Sequence, residues 1–319
     1  MPDRPPRTQR PRAERGPPSR LDESADRRRV RQIQVRRRRA VALLVIALIV
    51  LGIGVVTVDA SGGARSHDKA LDAAEHQVRV DRQQDPAVFA AALTAAVNRV
   101  LTYTPYISVG RPRKREIALT FDDGPGPYTL AVLSVLRRDH APATFFEIGR
   151  LVDVHPSITK RLADAGEVIG DHTQNHRFLA SLTPAQQRAE VVGDERAITG
   201  AGAPAPQLFR PPYGSFNAAT LKLLRSRRLL MVLWTVDTTD YVRPGVKRIV
   251  DAALTNARPG AIILLHDGGG DRRETIAALP RIIHRLRRRG YRLVTVPDLV
   301  RDDPPLQGQP APQPLSGAG

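Results

Sequence analysis

The chain has 319 residues, of which 41% are hydrophobic, and it carries a formal net charge of +17. This size allows one large domain of about 200 residues with accessory segments. The sequence contains no cysteine, which excludes a disulfide framework, a thiolate metal site and a cysteine nucleophile. The charge is uneven, because residues 1–39 hold 14 arginines against five acids.

The first two segments predict a basic tail followed by a membrane anchor. Residues 1–39 are rich in proline and arginine and lack apolar periodicity, which predicts disorder. Residues 40–58 form an uncharged apolar run, close to the roughly 20 residues that a helix needs to cross a bilayer. Because Arg36–Arg39 precede this run, the positive-inside rule predicts a cytoplasmic N-terminus and an extracytoplasmic remainder. The alternative is secretion after signal-peptide cleavage, but the apolar region of a signal peptide is only about 7–15 residues long.

Residues 59–112 are predicted to form an extracytoplasmic stem that contains a helix. Asp85 and Pro86 are typical of the N-cap and first position of a helix. Apolar residues follow at i, i+4 spacing from Phe89 to Leu101, which predicts an amphipathic helix. Its apolar face could pack either on the main domain or on a second copy of the chain.

Residues 113–302 are predicted to form the main domain, because short apolar runs alternate there with segments of helical period. The predicted strands are Glu116–Phe121, Ala143–Ile148, Glu167–Ile169, Gln207–Phe209, Leu229–Val236, Ala261–Leu265 and Tyr291–Val296. The predicted helices are Tyr128–Arg138, Pro156–Ala165, Pro184–Thr199, Ala218–Arg227, Val246–Ala257 and Glu274–Arg289. This α/β alternation predicts a parallel sheet with helices outside it. About seven strands suit a closed or nearly closed barrel, although an open doubly wound sheet fits the same pattern. Residues 303–319, rich in proline, glutamine and glycine, are predicted to be a disordered tail.

Two acids follow the first predicted strand of this domain. Asp122 and Asp123 stand directly before a Gly-Pro pair, and such a sequence is equally typical of a simple turn. Successive strand residues face opposite sides of a sheet, so the two carboxylates can share one function only if the strand has ended and the backbone has bent. In a barrel, functional groups gather at the C-terminal ends of the strands, where these acids lie.

A pair of histidines follows the third predicted strand. His172 and His176 have i, i+4 spacing, which on a helical turn presents two imidazoles to one divalent ion. A bare HxxxH pattern is more often two unrelated surface histidines. With a carboxylate from another strand end, the pair would form a three-ligand set with open positions, the catalytic type of zinc site.

Three further strand ends carry polar residues. Arg210 opens an Arg-Pro-Pro-Tyr-Gly loop whose prolines make it rigid enough to aim the arginine and a backbone N–H. Asp237 and Asp240 follow the strand that contains Trp234, and His266 ends the next strand. Each feature alone has a structural explanation: a proline-rich connector, a helix cap or solvated acid, a buried core histidine. Five such motifs in sequence are far more specific.

With these motifs, residues 113–300 resemble the polysaccharide deacetylases of carbohydrate esterase family 4, also called the NodB-homology domain. The resemblance implies a distorted (β/α) barrel and a divalent metal, Zn²⁺ first, with Co²⁺, Ni²⁺ or Mn²⁺ also suited to the site. It implies the following roles: Asp122 as catalytic base, Asp123, His172 and His176 as metal ligands, Arg210 as partner of the base, and His266 with Asp240 as general acid and its orienting group. It also implies that the backbone N–H of Tyr213 stabilises the oxyanion and that Trp234 and Leu265 form the pocket for the acetyl methyl group.

Three positions depart from the family pattern. Asp171 stands where asparagine is common, and Asn175 where serine is frequent, but neither is a ligand. Tyr241 follows Asp240 where the family commonly has tryptophan, which leaves Asp237 as an alternative partner for His266. No catalytic position is lost, which argues against an inactive relative.

The sequence therefore predicts metal-dependent removal of N-acetyl groups from N-acetylglucosamine in a cell-wall polysaccharide. Peptidoglycan is the first candidate, because an enzyme tethered on the outer face of a bacterial membrane meets the wall first. Chitin oligomers, an exopolysaccharide or, by ester cleavage, acetylated xylan are alternatives. A non-catalytic glycan-binding protein on the same fold is an alternative from another class. Nucleic-acid binding is not expected, because the arginines concentrate before the predicted anchor and aromatic residues make up only 4% of the chain.

Overall fold

The computed structural model describes residues 86–308, with side chains from residue 90. The predicted tail at 1–39, the predicted anchor at 40–58, the first part of the predicted stem and residues 309–319 lie outside the described residues. Within the described part, none of the helices combines the length and apolar character that a bilayer-crossing helix requires.

The described strands form one sheet whose ladders are all parallel. They are β1 (Tyr106–Ile107), β2 (Glu116–Gly124), β3 (Thr144–Glu147), β4 (Val168–Asp171), β5 (Leu208–Phe209), β6 (Leu230–Val232), β7 (Val236–Asp237), β8 (Ala261–His266) and β9 (Arg292–Val294). Their order is β1-β6-β5-β4-β3-β2-β8-β7, and β9 pairs with the start of β2. No ladder joins β1 to β7 among these residues, so the parallel sheet is a distorted, incomplete barrel. The expected parallel arrangement is confirmed.

Helices alternate with the strands, as the sequence predicts. They are α1 (Pro86–Leu101), α2 (Thr129–Arg138), α3 (Gly149–Val154), α4 (Pro156–Asp164), α5 (Pro184–Gly200), α6 (Ala218–Arg227), α7 (Val246–Thr255), α8 (Arg273–Arg288) and α9 (Val296–Asp302). Thr183 and Gln186 form a capping box at the start of α5, which fixes that start where the Thr-Pro pair indicates it. Helices α3 and α9 are not among the predicted helices, because six or seven residues are too few to show a helical period.

One predicted strand is two strands in the structure. The run Leu229–Val236 divides into β6 and β7, which pair with different neighbours, β5 and β8. The backbone N–H of Leu233, between them, donates instead to the carbonyl oxygen of Ile107 in β1. A continuous apolar run cannot reveal this division, because burial on both sides looks the same before and after the break.

Strand β2 is an interior strand that pairs with β3, β8 and β9, and it is buried along almost its whole length. Its odd-numbered residues, from Ile117 to Phe121, pack in the cluster beneath α2, α7 and α8. Ala118, on the opposite face, belongs to a second cluster inside the barrel. By the same alternation, Thr120 and Asp122 face the inside. The Asp122 carboxylate therefore lies inside the barrel, at the C-terminal edge of the sheet.

The predicted stem helix packs on the main domain. Val97 and Val100 of α1 share the inner cluster with Leu299 and Val300 of α9. The described start of the predicted C-terminal tail is also fixed to this domain, in contrast to the predicted disorder. The buried Asp303 carboxylate accepts the backbone N–H groups of residues 113 and 114 at 2.9 and 3.0 Å. The proline-rich composition of residues 303–319 does not predict that Asp303 is attached to the domain.

Candidate active site

The two adjacent acids at the end of β2 have separate environments. The register between β2 and β3 shifts between Asp122 and Gly124. At the shift, Asp123 adopts a left-handed conformation with φ of 72°. Aspartate tolerates this region better than most residues with a Cβ atom. The backbone therefore bends at Asp123, and the two carboxylates take different partners. Gly268 packs so closely here that a Cβ atom would lie 1.9 Å from the Asp123 carbonyl oxygen.

Asp123, His172 and His176 converge on one point, as the sequence predicts. The Nε2 atoms of His176 and His172 lie 3.0 and 3.5 Å from Asp123 Oδ1. The three potential ligand atoms lie within 4.8 Å of one another. Asp123 Oδ1 is buried and has no ordinary hydrogen-bond partner. Two imidazole nitrogens and one carboxylate oxygen, with an orphaned oxygen among them, fit a three-ligand divalent cation site.

The charge state of this cluster suits a cation. Burial alone would raise the pKa of Asp123, but its close contacts with both imidazole rings hold it far below its usual range. Burial lowers the pKa of His172, whereas the carboxylates of Asp122 and Asp123 raise it to a value above the ordinary one. The cluster therefore favours the binding of a positive charge, which can be either a proton or a metal cation.

The two histidines lie on a loop, so the predicted helical turn is wrong. Strand β4 ends at Asp171, and both Thr173 and His176 have positive φ, of 70° and 58°. A right-handed helix cannot include such residues. Side chains fix the loop instead: Asp171 Oδ1 accepts the Thr173 N–H at 2.8 Å, and Thr173 Oγ1 accepts the His176 N–H at 3.0 Å. The buried Asp194 carboxylate accepts the His172 N–H at 2.7 Å.

Each imidazole also uses its second nitrogen. His172 Nδ1 lies 2.7 Å from the backbone carbonyl oxygen of Arg210. Since a carbonyl can only accept, Nδ1 carries the proton and Nε2 keeps a lone pair when this ring is neutral. His176 Nδ1 lies 3.1 Å from the Tyr213 hydroxyl. Partners of this kind orient metal-ligating histidines in proteins.

Arg210 holds Asp122 in a buried ion pair. The arginine is fully buried, and its Nη1 donates to Asp122 Oδ1 at 2.7 Å and to Thr120 Oγ1 at 2.9 Å. Its Nε donates to the Val232 carbonyl oxygen at 3.0 Å, and the guanidinium lies 4.1 Å from the ring centre of Phe146. Burial lowers the pKa of Arg210, and the Asp122 charge opposes that effect. The second carboxylate oxygen of Asp122 lies 3.9 Å from His172 Nε2, beside the metal-type cluster.

His266 pairs with Asp240, which decides between the two candidate acids. His266 Nδ1 lies 2.8 Å from Asp240 Oδ1, and the His266 backbone N–H donates to Asp240 Oδ2 at 2.9 Å. The Thr275 hydroxyl donates to the same Oδ2 at 2.7 Å. Asp237 instead accepts the backbone N–H of Thr239 at 2.7 Å. Burial alone lowers the pKa of His266, but the hydrogen bond and charge of Asp240 outweigh burial and raise it above the ordinary value.

Of the two expected pocket residues, Leu265 is not at the site. Leu265 is fully buried in the cluster on the helix side of the sheet, with Phe121. His266 faces the site, so by strand alternation the residue directly before it faces away. Leu264 shares the face of His266, and the period of two in the strand could have identified it. Trp234 is partly buried and its ring centre lies 5.8 Å from the Arg210 guanidinium carbon.

Exposed aromatic rings flank the cluster. Tyr213 is 48% exposed and stacks on Phe178 with ring centres 4.1 Å apart. Tyr241 is 47% exposed and meets the His266 ring edge-on at 5.4 Å. Phe178 is not among the predicted site residues, because nothing in the sequence pattern distinguishes it from an ordinary apolar residue. Rings exposed beside a polar site provide flat apolar surfaces for a ligand.

Comparisons with known proteins agree with this geometry. Residues 109–232 match the family model described as polysaccharide deacetylase. The chain is 40% identical over 209 residues to a peptidoglycan-N-acetylglucosamine deacetylase of Bacillus cereus, covering 64% of this chain and 98% of that protein. It is 40% identical over 198 residues to a chitooligosaccharide deacetylase of Bradyrhizobium sp., covering 58% and 90%. A solved peptidoglycan N-acetylglucosamine deacetylase, Bc1960, superimposes with a TM-score of 0.61 at 36% identity, covering 63% and 95%. The chain therefore belongs to the polysaccharide deacetylase family.

Proposed function

We propose that this protein is a divalent-metal-dependent hydrolase that removes acetyl groups from N-acetylglucosamine residues of peptidoglycan and releases acetate. One observation carries the proposal: an ion-paired carboxylate and a histidine–carboxylate pair stand on neighbouring strands beside a two-nitrogen, one-oxygen cluster. Register pairs Asp122 of β2 directly with His266 of β8. Family membership supports deacetylation of N-acetylated glycans in general.

Asp122 is the proposed general base. Amide hydrolysis requires removal of a proton from the attacking water, and a positioned carboxylate typically contributes 10²- to 10⁴-fold to such a step. The Arg210 hydrogen bond at 2.7 Å orients Oδ1 and favours the ionised carboxylate. Asp122 Oδ2 remains beside the cluster, where a water molecule would be activated.

The cation is assigned to Asp123, His172 and His176, with Zn²⁺ as first candidate and Co²⁺, Ni²⁺ or Mn²⁺ as others. When bound, such a cation supplies Lewis-acid polarisation of the acetyl carbonyl and lowers the pKa of water. The chain itself offers a further donor for the developing oxyanion. The backbone N–H of Tyr213 has no acceptor among the described residues. One such donor is worth about 3–4 kcal/mol in the transition state.

His266 is the proposed general acid for the departing sugar amine. Its raised pKa keeps the ring protonated, because Asp240 stabilises the imidazolium. Burial raises the pKa of Asp240, but His266 and Thr275 together lower it below the ordinary value, so this carboxylate stays ionised. Leu264 and Trp234 are the proposed apolar contacts of the acetyl methyl group.

Peptidoglycan is preferred over chitin oligomers because of the predicted location. The proposed anchor at residues 40–58 would hold the domain on the outer face of the cell membrane, where the wall is the nearest N-acetylated glycan. The relatives named above include deacetylases of both glycans at 40% identity, which supports the chemistry more than the choice of glycan.

Acetate release by the full chain tests this proposal. The protein is stripped of metal, reloaded with Zn²⁺ or Co²⁺, and offered peptidoglycan and chitin oligomers in parallel, with Asp122→Asn as control. Metal-dependent release from peptidoglycan in excess of that from chitin supports the proposal. Release from chitin alone transfers the assignment to chitin oligomers. If the wild type and the variant instead released acetate equally and independently of metal, the result would indicate a glycan-binding protein.

A further inference from the structure

Exposed arginines gather at the N-terminal edge of the sheet, opposite the site. Five of them, which we call the basic edge, are Arg115, Arg258, Arg285, Arg288 and Arg289. They precede β2 and β8 or lie at the end of α8. Because parallel strands all begin at one edge, these residues share that edge, whereas Asp122 and His266 lie at the other. The seven residues from Glu116 to Asp122 separate the edges by about 20 Å.

Direct contacts make the basic edge continuous around Tyr291. Arg115 Nη2 donates to the Arg289 carbonyl oxygen at 2.5 Å, and the Arg115 guanidinium lies 4.6 Å from the ring centre of Tyr291. Arg289 donates to the Leu254 carbonyl oxygen at the end of α7. The Tyr291 hydroxyl contacts the carbonyl oxygen of Ala257, the neighbour of Arg258. The start of β2, the end of α8 and the segment before β8, which carry these arginines, therefore lie side by side.

The charge of the basic edge is not neutralised within the described part of the protein. None of its five arginines forms an ion pair with a described acid. Residues 252–266 and 275–297 contain no aspartate or glutamate. Nearby acids are already paired, Asp139 with Arg138 at 2.8 Å and Glu116 with Arg292. An uncompensated patch of this kind attracts a polyanionic partner.

We infer that the basic edge docks on an anionic phospholipid surface and so turns the active-site edge away from the membrane. This interaction goes beyond the proposed activity. It is consistent with the proposed anchor, which would keep the domain beside a bilayer. An arginine near an anionic bilayer strengthens partitioning about fivefold, so the patch is sufficient for stable orientation of a tethered domain.

A nucleic acid is the less suitable partner, because its recognition as a single strand uses aromatic stacking. The exposed aromatic side chains among the described residues are Phe178, Tyr213 and Tyr241, and all three follow strands at the opposite edge. Tyr291, at the basic edge, is buried. The patch therefore offers charge without stacking surfaces, which matches phosphate headgroups.

Site-directed fluorescence on the full chain tests this orientation. Because the sequence contains no cysteine, one introduced cysteine carries a single label. His284→Cys places the label on α8 beside the basic edge, and Val242→Cys places it at the opposite edge, where Val242 is 61% exposed. The labelled chains are reconstituted in neutral vesicles and in vesicles with about one third anionic phospholipid, both carrying a headgroup-level quencher. We expect quenching of the label at residue 284 only, in anionic vesicles only, with loss at high salt.

Charge-matched variants separate the basic edge from net charge. Arg258→Gln, Arg285→Gln and Arg288→Gln together should reduce the partitioning of this face about 100-fold and abolish the quenching. Arg150→Gln, Arg188→Gln and Arg248→Gln remove the same charge from exposed positions near the starts of α3, α5 and α7, towards the opposite edge, and should leave the quenching unchanged. Equal quenching at both labels, quenching in neutral vesicles, or an unaffected first triple variant would overturn the inference. The inference would also be overturned if duplex DNA or polyglycerol phosphate protected the label at residue 284 from quenching more strongly than the label at residue 242.

Acetate release from soluble chitin oligomers is measured separately on each variant. The first triple variant should match the wild type there, because the basic edge lies about 20 Å from the site. Absence of release by the wild type from both peptidoglycan and chitin oligomers would refute the proposed function and leave the quenching result intact.

Discussion

Arg210 donates to Asp122 from a position that allows neither residue to move independently. The guanidinium is fully buried against Phe146, bonds to Asp122 at 2.7 Å, and also bonds to a backbone carbonyl of β6 at 3.0 Å. Through these hydrogen bonds the arginine connects the proposed base, on β2, to strand β6. A buried charge that loses its partner is costly, so this pair fixes both position and charge.

Asp122→Asn should lower kcat by 10² to 10⁴-fold, because asparagine cannot accept the proton. Metal affinity should change only a few-fold, since the three proposed ligands are untouched. Acetate release and calorimetric metal titration measure the two effects. Asp237→Asn is the matched control: this acid lies at the same edge but bonds to Thr239 rather than to His266. A variant at Asp122 that kept a tenth of the rate would refute the assignment of the base.

Asp240→Asn should shift the alkaline limb of the pH–rate profile to lower pH. In the wild type, Asp240 raises the pKa of His266 above its ordinary value, so the ring keeps its proton to higher pH. Without that charge, burial dominates and the pKa of His266 falls, so the general acid is lost earlier as pH rises. The rate as a function of pH gives the shift. An unchanged limb would show that another group limits the reaction at high pH.

Tyr213→Phe should weaken metal binding by about tenfold, the lower end for partners of metal-ligating histidines. Tyr213 is half exposed, and its hydroxyl is the side-chain partner of His176 Nδ1 at 3.1 Å. Tyr241→Phe removes a hydroxyl from an equally exposed ring and should leave the affinity unchanged. Competition with a chromogenic chelator measures both constants. Equal affinities in the two variants would assign no role to the Tyr213 hydroxyl.

Glu147→Gln should flatten the pH dependence of stability. Burial raises the pKa of Glu147 to about 8, and the nearby Thr159 only partly offsets this effect. The folded state therefore holds a proton that the unfolded chain releases near pH 4.5, so stability falls as pH rises from there to about 8. At pH 7 the free energy of unfolding is about 3 kcal/mol lower than it is below pH 4.5 because of this group. Denaturant unfolding at pH 5 and pH 8 measures it, and a wild-type curve no steeper than that of the variant would contradict the prediction.

Much of the site could be predicted from the sequence, because its residues follow strands whose apolar runs are easy to recognise. The convergence of Asp123, His172 and His176 required only that parallel strands end at one edge. The family resemblance assigns Asp240 to His266, but residue spacing alone leaves Asp237 as an equal candidate, since the predicted strand is followed by both acids. Only the backbone path after β7 separates them.

Two sequence-based expectations differ from the structure, one drawn from residue spacing and one from position in a motif. The spacing of His172 and His176 fits a helix, but positive φ at Thr173 replaces the helix with a loop held by side chains. Leu265 was assigned by its place in a motif, although strand alternation directs it to the core behind the sheet. Residue spacing indicates which residues can lie close together, whereas the backbone conformation determines the direction in which each side chain points.

The left-handed backbone of Asp123 has a consequence for substitutions at this position. Aspartate, asparagine and glycine are the residues that tolerate such a conformation best, so folding alone accepts any of the three. Only the carboxylate provides an anionic ligand for a cation. Selection for a stable fold therefore does not protect the acid at position 123, and a descendant with asparagine there would keep its shape. A single substitution to asparagine at this position is therefore expected to remove the proposed anionic ligand without unfolding the protein.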